Sequence, residues 1–96
     1  MEKLNHGQIA KLVERSKNQD SAAFTELYQM LYQKVYFFAL SLTKNENMAE
    51  DAVQESFMGA LSSLGSLKDN KLFVAWLNKI TYNVCMAALS KKAHSL

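Results

Sequence analysis

The sequence has no proline, three glycines and one cysteine among its 96 residues. Proline and glycine are the residues that most often end helices and form tight turns, so their scarcity favours long helices over a turn-rich β fold. Cys85 has no partner in the sequence for a disulfide, which suits a reducing cytoplasm. A chain of this length is expected to form one domain with a modest core.

The residue patterns of metal sites, enzymes and membrane proteins are missing too. One cysteine and two distant histidines, His6 and His94, offer no metal-ligand cluster. There is no nucleophile–base pair and no glycine-rich phosphate loop, so we expect neither an enzyme nor a bound cofactor. The apolar run from Val35 to Leu40 is too short to span a bilayer, and the N-terminus lacks the apolar core of a signal peptide. We therefore expect a cytoplasmic protein with no membrane partner.

Apolar residues recur at spacings of three and four, the pattern typical of amphipathic helices. The pattern predicts four helices: from about Gly7 to Asn18, from a cap at Asp20 or Ser21 to the turn KNEN, from about Asn47 to Leu64, and from about Lys71 to Lys92. The residues expected to face inward are Ile9, Leu12 and Val13; Phe24, Leu27, Tyr28, Leu31, Val35, Phe38 and Leu42; Ala49, Ala52, Val53, Phe57, Ala60, Leu61 and Leu64; and Phe73, Trp76, Leu77, Ile80, Val84 and Ala88. The predicted fold class is all-α, a compact bundle of about four helices.

Charge is unevenly distributed along this chain of net charge +2. Residues 45–67 contain four acids and no Lys or Arg, whereas residues 68–96 contain five lysines and one acid. An acidic segment favours a basic partner, and a basic segment favours a polyanion. Solvated helix faces produce the same pattern, so charge alone leaves both interpretations open.

The acids of the third predicted helix are concentrated in the stretch MAEDAVQESF. Glu50 and Asp51 are expected in its first turns, where the helix dipole stabilises a carboxylate by about 0.3–1 kcal/mol. That explanation does not extend to Gln54 and Glu55, which lie farther along the same face. Because no cation lies three or four residues from these acids, the strip is free to bind arginines of a partner.

The stretch SLGSLKDNKLFVAWLNKITYNV mixes lysines with aromatic and amide side chains. Such mixtures suit single-stranded nucleic acid, whose phosphates attract lysines and whose unstacked bases contact planar or amide groups. Burial in the core is the simpler explanation for Trp76, which lies on the inward stripe. Asn83 is harder to explain structurally, because an Asn in mid-helix near the core needs a hydrogen-bond partner. Lys91 and Lys92 end the helix, where cations also suit the dipole.

The order and spacing of AFTELYQMLYQKVYFFAL, AEDAVQESF and LFVAWLNKITYNV resemble the second conserved region of bacterial RNA polymerase sigma factors of the extracytoplasmic-function group. The resemblance extends from about Asp20 to Lys92 without a gap. It implies one domain of the sigma region-two type over residues 1–96, in which residues 1–19 form an N-terminal helix and turn and residues 20–92 the conserved region. Region four, which reads the minus-thirty-five element, is missing, so we expect an excised domain or a naturally short protein.

The resemblance also implies roles for particular residues. In this family the acidic helix docks on the clamp helices of the polymerase β′ subunit, which maps onto Glu50, Asp51, Gln54 and Glu55. The loop and the last helix recognise and melt the promoter minus-ten element and hold a flipped base of the non-template strand, at a cost of a few kcal/mol. Together with the lysines of the last helix, the expected DNA-binding set is Ser63, Leu67, Lys68, Asp69, Asn70, Lys79, Ile80, Asn83, Lys91 and Lys92.

The sequence departs from the family pattern at several positions. Family members often carry an aromatic residue where Leu67 stands and a glycine where Asp69 stands. Their last helix is usually rich in arginine, often with an acid near Ala87, whereas Arg15 is the only arginine here. Promoter preference therefore stays open, as does an alternative function. In that alternative the chain is a sigma-like protein–protein module that binds polymerase or an anti-sigma factor without opening DNA. A helical bundle of unrelated function is the third interpretation.

Overall fold

Four α-helices follow one another along the part of the chain that the structure describes. The computed structural model describes residues 4–94, and the side chains of residues 4–93. The helices are α1 His6–Lys17, α2 Ser21–Thr43, α3 Glu46–Ser62 and α4 Phe73–His94, with short 3₁₀ helices at Leu64–Ser66 and Asn70–Leu72. The predicted all-α bundle is confirmed. Residues 1–3 and 95–96, which the single-domain prediction includes, lie outside the described residues.

Polar side chains cap the starts of the first three helices. Asn5, Asp20 and Asn45 each accept a hydrogen bond from the backbone N–H three residues later, at 3.0, 3.2 and 2.9 Å. These bonds satisfy donors that the start of a helix leaves unpaired. Arg15 also donates to Asp20 at 2.9 Å, and this hydrogen bond holds the pKa of the Asp20 carboxyl below its usual value. The predicted start of α2 at Asp20 or Ser21 is therefore confirmed.

Lys44 ends α2 in a backbone conformation that residues other than glycine rarely adopt. Its φ is 57°, in the left-handed region, and its N–H donates to the Leu40 carbonyl at 2.8 Å. This conformation costs an L-residue about 1–2 kcal/mol, a cost that glycine escapes.

We expect Lys44→Gly to raise the free energy of unfolding by about 0.5–1 kcal/mol, measured in urea. Gln33→Gly, on the exposed side of α2, is the control and should lower it by about 0.5–1 kcal/mol. Two changes of the same sign would contradict this account of Lys44.

The core of α2 follows a line of residues spaced four apart. α2 packs against α1, α3 and α4. Its buried residues are Ala23, Leu27, Leu31, Val35, Ala39 and Thr43. Phe24, Tyr28, Phe38 and Leu42, which were expected in the core, are half-buried at its edge. The buried line includes the small residues Ala23 and Ala39, which the periodicity of large apolar residues does not reveal.

The prediction that Leu61 faces inward is wrong, since the side chain is 51 % exposed. The buried face of α3 passes through Ser56 and Ala60, both with no exposed surface, and this places Leu61 at its edge. Ser56 was not expected in the core because serine counts as polar in a periodicity pattern. Its hydroxyl donates to the Ala52 carbonyl at 2.6 Å, which removes the cost of burying it.

α4 buries a line of four residues, Phe73, Leu77, Thr81 and Cys85, each with at most 1 % exposed surface. Of the residues expected to face inward, Trp76, Ile80, Val84 and Ala88 are half-buried. Thr81 donates to the Leu77 carbonyl at 3.0 Å, so it is satisfied in the same way as Ser56. Burial raises the pKa of the Cys85 thiol. The start of α4 is therefore fixed firmly in the core, just after the loop that was predicted to bind DNA.

By length and composition alone, Asn70–Ala93 is the one stretch of the described chain that is apolar enough to cross a membrane, with a mean hydropathy of 1.3. The apolar run considered in the sequence analysis, Val35 to Leu40, lies outside this stretch and did not predict it. The core helices of soluble proteins meet the same criterion, and this stretch supplies Phe73, Leu77 and Cys85 to the core. Of its 18-residue apolar window, 28 % is buried inside the structure, so packing within the bundle covers part of this stretch.

Candidate protein and nucleic-acid interfaces

Glu50, Asp51, Gln54 and Glu55 form what we call the acidic strip, on the exposed side of α3. All four side chains are exposed, and the opposite side of the helix packs into the core. Within residues 4–93 no cationic nitrogen lies within 4.0 Å of a strip carboxylate, the one ion pair being that of Arg15 with Asp20. The strip thus contains three acids that the described part of the fold leaves unneutralised.

The helix dipole accounts for less of the strip than the sequence indicated. α3 begins at Glu46, which is the acid in its first turn, and Glu50 and Asp51 lie one turn later. The dipole acts mainly within the first turn, so it explains Glu46 rather than those two residues. Like charges four residues apart, as in Asp51 and Glu55, destabilise a helix by about 0.2–0.5 kcal/mol. The strip therefore weakens α3 slightly and calls for an explanation outside the helix.

Tyr36 of α2 borders the beginning of the strip. Burial raises the pKa of the Tyr36 phenol, and the carboxylates of Glu46 and Glu50 raise it further. The Tyr36 ring is stacked with Tyr32, at a centroid distance of 6.2 Å, and contacts Phe37 edge-on at 5.4 Å. Phe37 is 61 % exposed. α2 therefore adds an aromatic edge beside the acidic face.

An apolar cavity adjoins the strip at Gln54. Its volume is about 250 Å³, and it is lined by Phe24, Tyr28, Gln54, Phe57, Met58 and Leu61. Met58 is 71 % exposed, so two large apolar side chains of α3, Met58 and Leu61, border the acids. Phe57 is packed against Tyr28 at the floor of the cavity, with ring centroids 4.8 Å apart. An apolar patch bordered by polar and charged side chains matches the apolar core and polar rim of many protein–protein interfaces.

The loop between α3 and α4 presents some of the predicted DNA-binding residues and buries another. Ser63, Lys68 and Asp69 are exposed. Asp69 accepts a hydrogen bond from the Lys71 backbone N–H at 3.0 Å and so starts the second 3₁₀ helix. Leu67 is 6 % exposed, because its side chain packs into the core, so in this conformation it presents no side chain to a base. Lys68 is the exposed cation at the tip of the loop.

Three further predicted residues lie on α4, and one of them contacts α3. Lys79 and Asn83 lie one turn apart and are both exposed. Ile80 is half-buried beside Gly59 of α3, with its Cγ2 atom 3.9 Å from where a Cβ atom would lie on that glycine. The Asn83 side chain makes no hydrogen bond to the described residues, so the expected partner near the core is not found. Asn83 instead offers its amide to solvent.

Lys91 and Lys92 lie apart from the other predicted DNA-binding residues. Both are exposed near the end of α4. At 1.5 Å per residue, Lys91 lies about 27 Å along the helix axis from Phe73, which follows the loop. The two lysines therefore extend the basic surface along α4 and do not contribute to a pocket at the loop.

α1 holds the loop through three hydrogen bonds. Lys17 Nζ donates to the Leu67 carbonyl and to Asn70 Oδ1, both at 2.6 Å. Asn70 Nδ2 donates to Glu14 Oε2 at 2.8 Å. These partners are at least 50 positions apart in the sequence, so no local pattern gave a sign of the contact. Asn70, predicted as a base contact, has its amide occupied by α1 in this structure.

The structure thus shows a helical domain with one unneutralised acidic face and one lysine-bearing loop braced by an N-terminal helix. Its sequence matches the family described as Sigma-70 region 2 over residues 27–95, and the chain belongs to that family. The predicted family is therefore confirmed. α1 and the first turns of α2 precede the matched residues.

Several curated proteins resemble the chain. It is 30 % identical over 84 residues to the ECF RNA polymerase sigma factor SigW of Bacillus subtilis, an alignment that covers 88 % of this chain and 45 % of the relative. It is 41 % identical over 58 residues to the ECF RNA polymerase sigma factor SigM of the same species, covering 60 % and 35 %. It is 28 % identical over 82 residues to the RNA polymerase sigma factor CarQ of Myxococcus xanthus, covering 85 % and 47 %. The chain spans less than half the length of these relatives.

Proposed function

We propose that this chain is an RNA polymerase sigma factor domain that acts in the cytoplasm in transcription initiation. It docks on the β′ clamp helices of the polymerase core, and it recognises and melts the promoter minus-ten element. The observation that carries the proposal is the exposed, unneutralised acidic strip of α3 in a domain of the Sigma-70 region 2 family. The names of the similar proteins support polymerase as the partner. This function needs no catalytic group and no cofactor.

Docking combines charge with apolar contact. Carboxylates of Asp51 and Glu55 are placed to accept paired hydrogen bonds from arginines of the clamp, which are stronger than bonds between neutral groups. Gln54 lies between them and the cavity, where it is suited to a neutral hydrogen bond. Met58 and Leu61 lose exposed apolar surface when a helix covers this side of α3, which adds about 25 cal/mol for each Å² buried.

DNA binding uses the loop and α4. Lys68 at the loop tip and Lys79 on α4 are exposed and suit phosphates of a single strand. Ser63, Ile80 and Asn83 supply a hydroxyl, an apolar surface and an amide, which suit an unstacked base. Holding a base outside the stack costs a few kcal/mol, so a pocket formed before binding is an advantage.

Binding of the 96-residue chain to a β′ clamp-helix fragment tests the docking proposal. We expect Gln54→Ala and Glu55→Lys each to weaken binding, the charge reversal by about tenfold, because it replaces an attraction by a repulsion. Glu26→Lys reverses an exposed acid of α2 outside the strip and is the matched control. Isothermal titration calorimetry gives the affinities. Docking through the strip is ruled out if the wild-type chain does not bind, or if Glu26→Lys weakens binding as much as Glu55→Lys does.

The second candidate function is a sigma-like module that binds polymerase or an anti-sigma factor without opening DNA. Burial of Leu67 and occupation of the Asn70 amide favour it, since two of the predicted base contacts are not presented in this conformation. It predicts binding of the clamp fragment, or of an anti-sigma factor, with no preference between non-template and template single strands. Strand-selective binding that weakens as salt rises would favour the first candidate.

A further inference from the structure

We propose that α1 positions the DNA-binding loop, and that Lys17 and Glu14 are the positioning residues. The inference rests on the proposed DNA-binding function, but the contacts that carry it belong to the fold itself. α1 precedes the residues matched by the family, so that match assigns these two side chains no role.

A single ammonium group joins the two ends of the loop tip. Lys17 Nζ lies 2.6 Å from the Leu67 carbonyl oxygen and 2.6 Å from Asn70 Oδ1. Leu67 and Asn70 flank the exposed tip residues Lys68 and Asp69. An ammonium group has three donors, and two of them are used here, one on each side of the tip. The Lys17 side chain therefore connects the two ends of the tip by hydrogen bonds from outside the loop.

The amide of Asn70 is held from both sides. Its oxygen accepts from Lys17, and its nitrogen donates to Glu14 Oε2 at 2.8 Å. Turning the amide over would bring its N–H groups against the ammonium and its oxygen against the carboxylate, so the two charges together fix one orientation. Asn70 therefore stabilises the conformation of the loop, and neighbouring residues make the contacts with a base.

The helix that supplies these side chains is itself immobilised. Ile9, Leu12 and Val13 bury α1 in the core, and α1 packs directly against the 3₁₀ helix that contains Asn70. Lys17 lies in the last turn of α1, where the dipole favours a cation, but that explanation does not require its contacts with Leu67 and Asn70. Because the loop is ordered when the domain folds, DNA binding does not have to supply the ordering entropy.

Glu14→Ala separates positioning from charge. Removing an acid favours DNA binding by electrostatics alone, whereas loss of positioning weakens it, so the two effects have opposite signs. We expect Glu14→Ala to speed amide hydrogen exchange in residues 67–72. We also expect it to weaken binding of the single-stranded DNA that the wild-type chain selects from a randomised pool, by about threefold to tenfold. The control, Glu26→Ala, removes an acid of α2 and should do neither. Glu14→Gln keeps an acceptor for Asn70 but removes the charge, so exchange should resemble the wild type and DNA binding should be no weaker than in the wild type.

Lys17→Met provides the second arm. It removes both bonds to the loop tip, so exchange in residues 67–72 should rise more than in Glu14→Ala, whereas Lys11→Met, which removes an exposed lysine from the same helix, should leave exchange unchanged. Unchanged exchange in Glu14→Ala and Lys17→Met overturns the inference. Tighter DNA binding by Glu14→Ala also overturns it, in favour of a contact that restrains binding. A wild-type chain that selects no single strand overturns the proposed DNA function, and exchange still shows whether α1 holds the loop.

Discussion

Reversing both charges on one line of α3, with Asp51→Lys and Glu55→Lys together, is expected to weaken binding to the β′ clamp-helix fragment at least about a hundredfold. The two carboxylates lie one turn apart, are exposed and have no cation within 4.0 Å in the described part of the chain. In the proposed docking, each replacement removes an attraction to the arginines of the clamp and adds a repulsion of the same arginines. Calorimetry or a fluorescence-anisotropy titration at low salt gives the size of the loss.

The controls for this variant separate docking from folding. Both residues are exposed and the spacing of like charges is kept, so the free energy of unfolding should change by less than about 0.5 kcal/mol. A clamp fragment with arginines replaced by glutamates should recover part of the lost affinity, because the interaction is then attractive again. Binding at wild-type strength by the double variant would mean that polymerase contacts a different face of the domain.

Phe73→Ala is expected to lower the free energy of unfolding by about 3–5 kcal/mol. Phe73 has no exposed surface, and its ring lies 6.0 Å from that of Trp76. Domains of this size are stable by about 5–15 kcal/mol in total, so the loss leaves the fold marginal. Denaturant unfolding followed by circular dichroism measures it. Since Phe73 begins α4 directly after the loop, exchange in residues 67–72 should rise as well.

Phe37→Ala is the matched control for Phe73→Ala. The Phe37 side chain is 61 % exposed, so its removal should change the free energy of unfolding by less than about 0.5 kcal/mol. Equal losses for the two phenylalanines, or a loss below about 1 kcal/mol for Phe73→Ala, would show that the start of α4 is not packed as described.

The helices of this protein are predictable from its sequence because apolar residues recur at helical spacing and polar side chains cap the starts of the first three. How deeply each side chain of a helix is buried is harder to predict. Ser56 and Thr81 are buried because their hydroxyls are satisfied within their own helices, and no pattern of apolar residues shows this. Leu61 is exposed for the complementary reason, since small residues occupy the centre of the face it borders. Periodicity therefore locates a helix face to within one residue position and leaves its centre undecided.

The features of the candidate surfaces that depend on neighbouring residues in the sequence are predictable from it, and those that depend on distant residues are not. The acidic strip is visible in the sequence because its members lie within six consecutive residues of one helix. The contacts of the Leu67 carbonyl and of the Asn70 amide are made with α1, at least 50 positions away, and are set by tertiary packing alone. The roles of the strip and loop residues stay predictions for the binding experiments.

Because α1 is buried in the core, the first residue of the folded domain differs from the first residue that the family model matches. The match to the family model begins at residue 27, yet Ile9 and Val13 have no exposed surface and belong to the same core as α2. A fragment trimmed to the recognised region would leave the apolar side of α2 in water and release the tip of the loop. In a chimera joined at the start of α2, a foreign helix would have to match both the core and Asn70. For this domain, the junction for exchanging parts between sigma factors lies before α1.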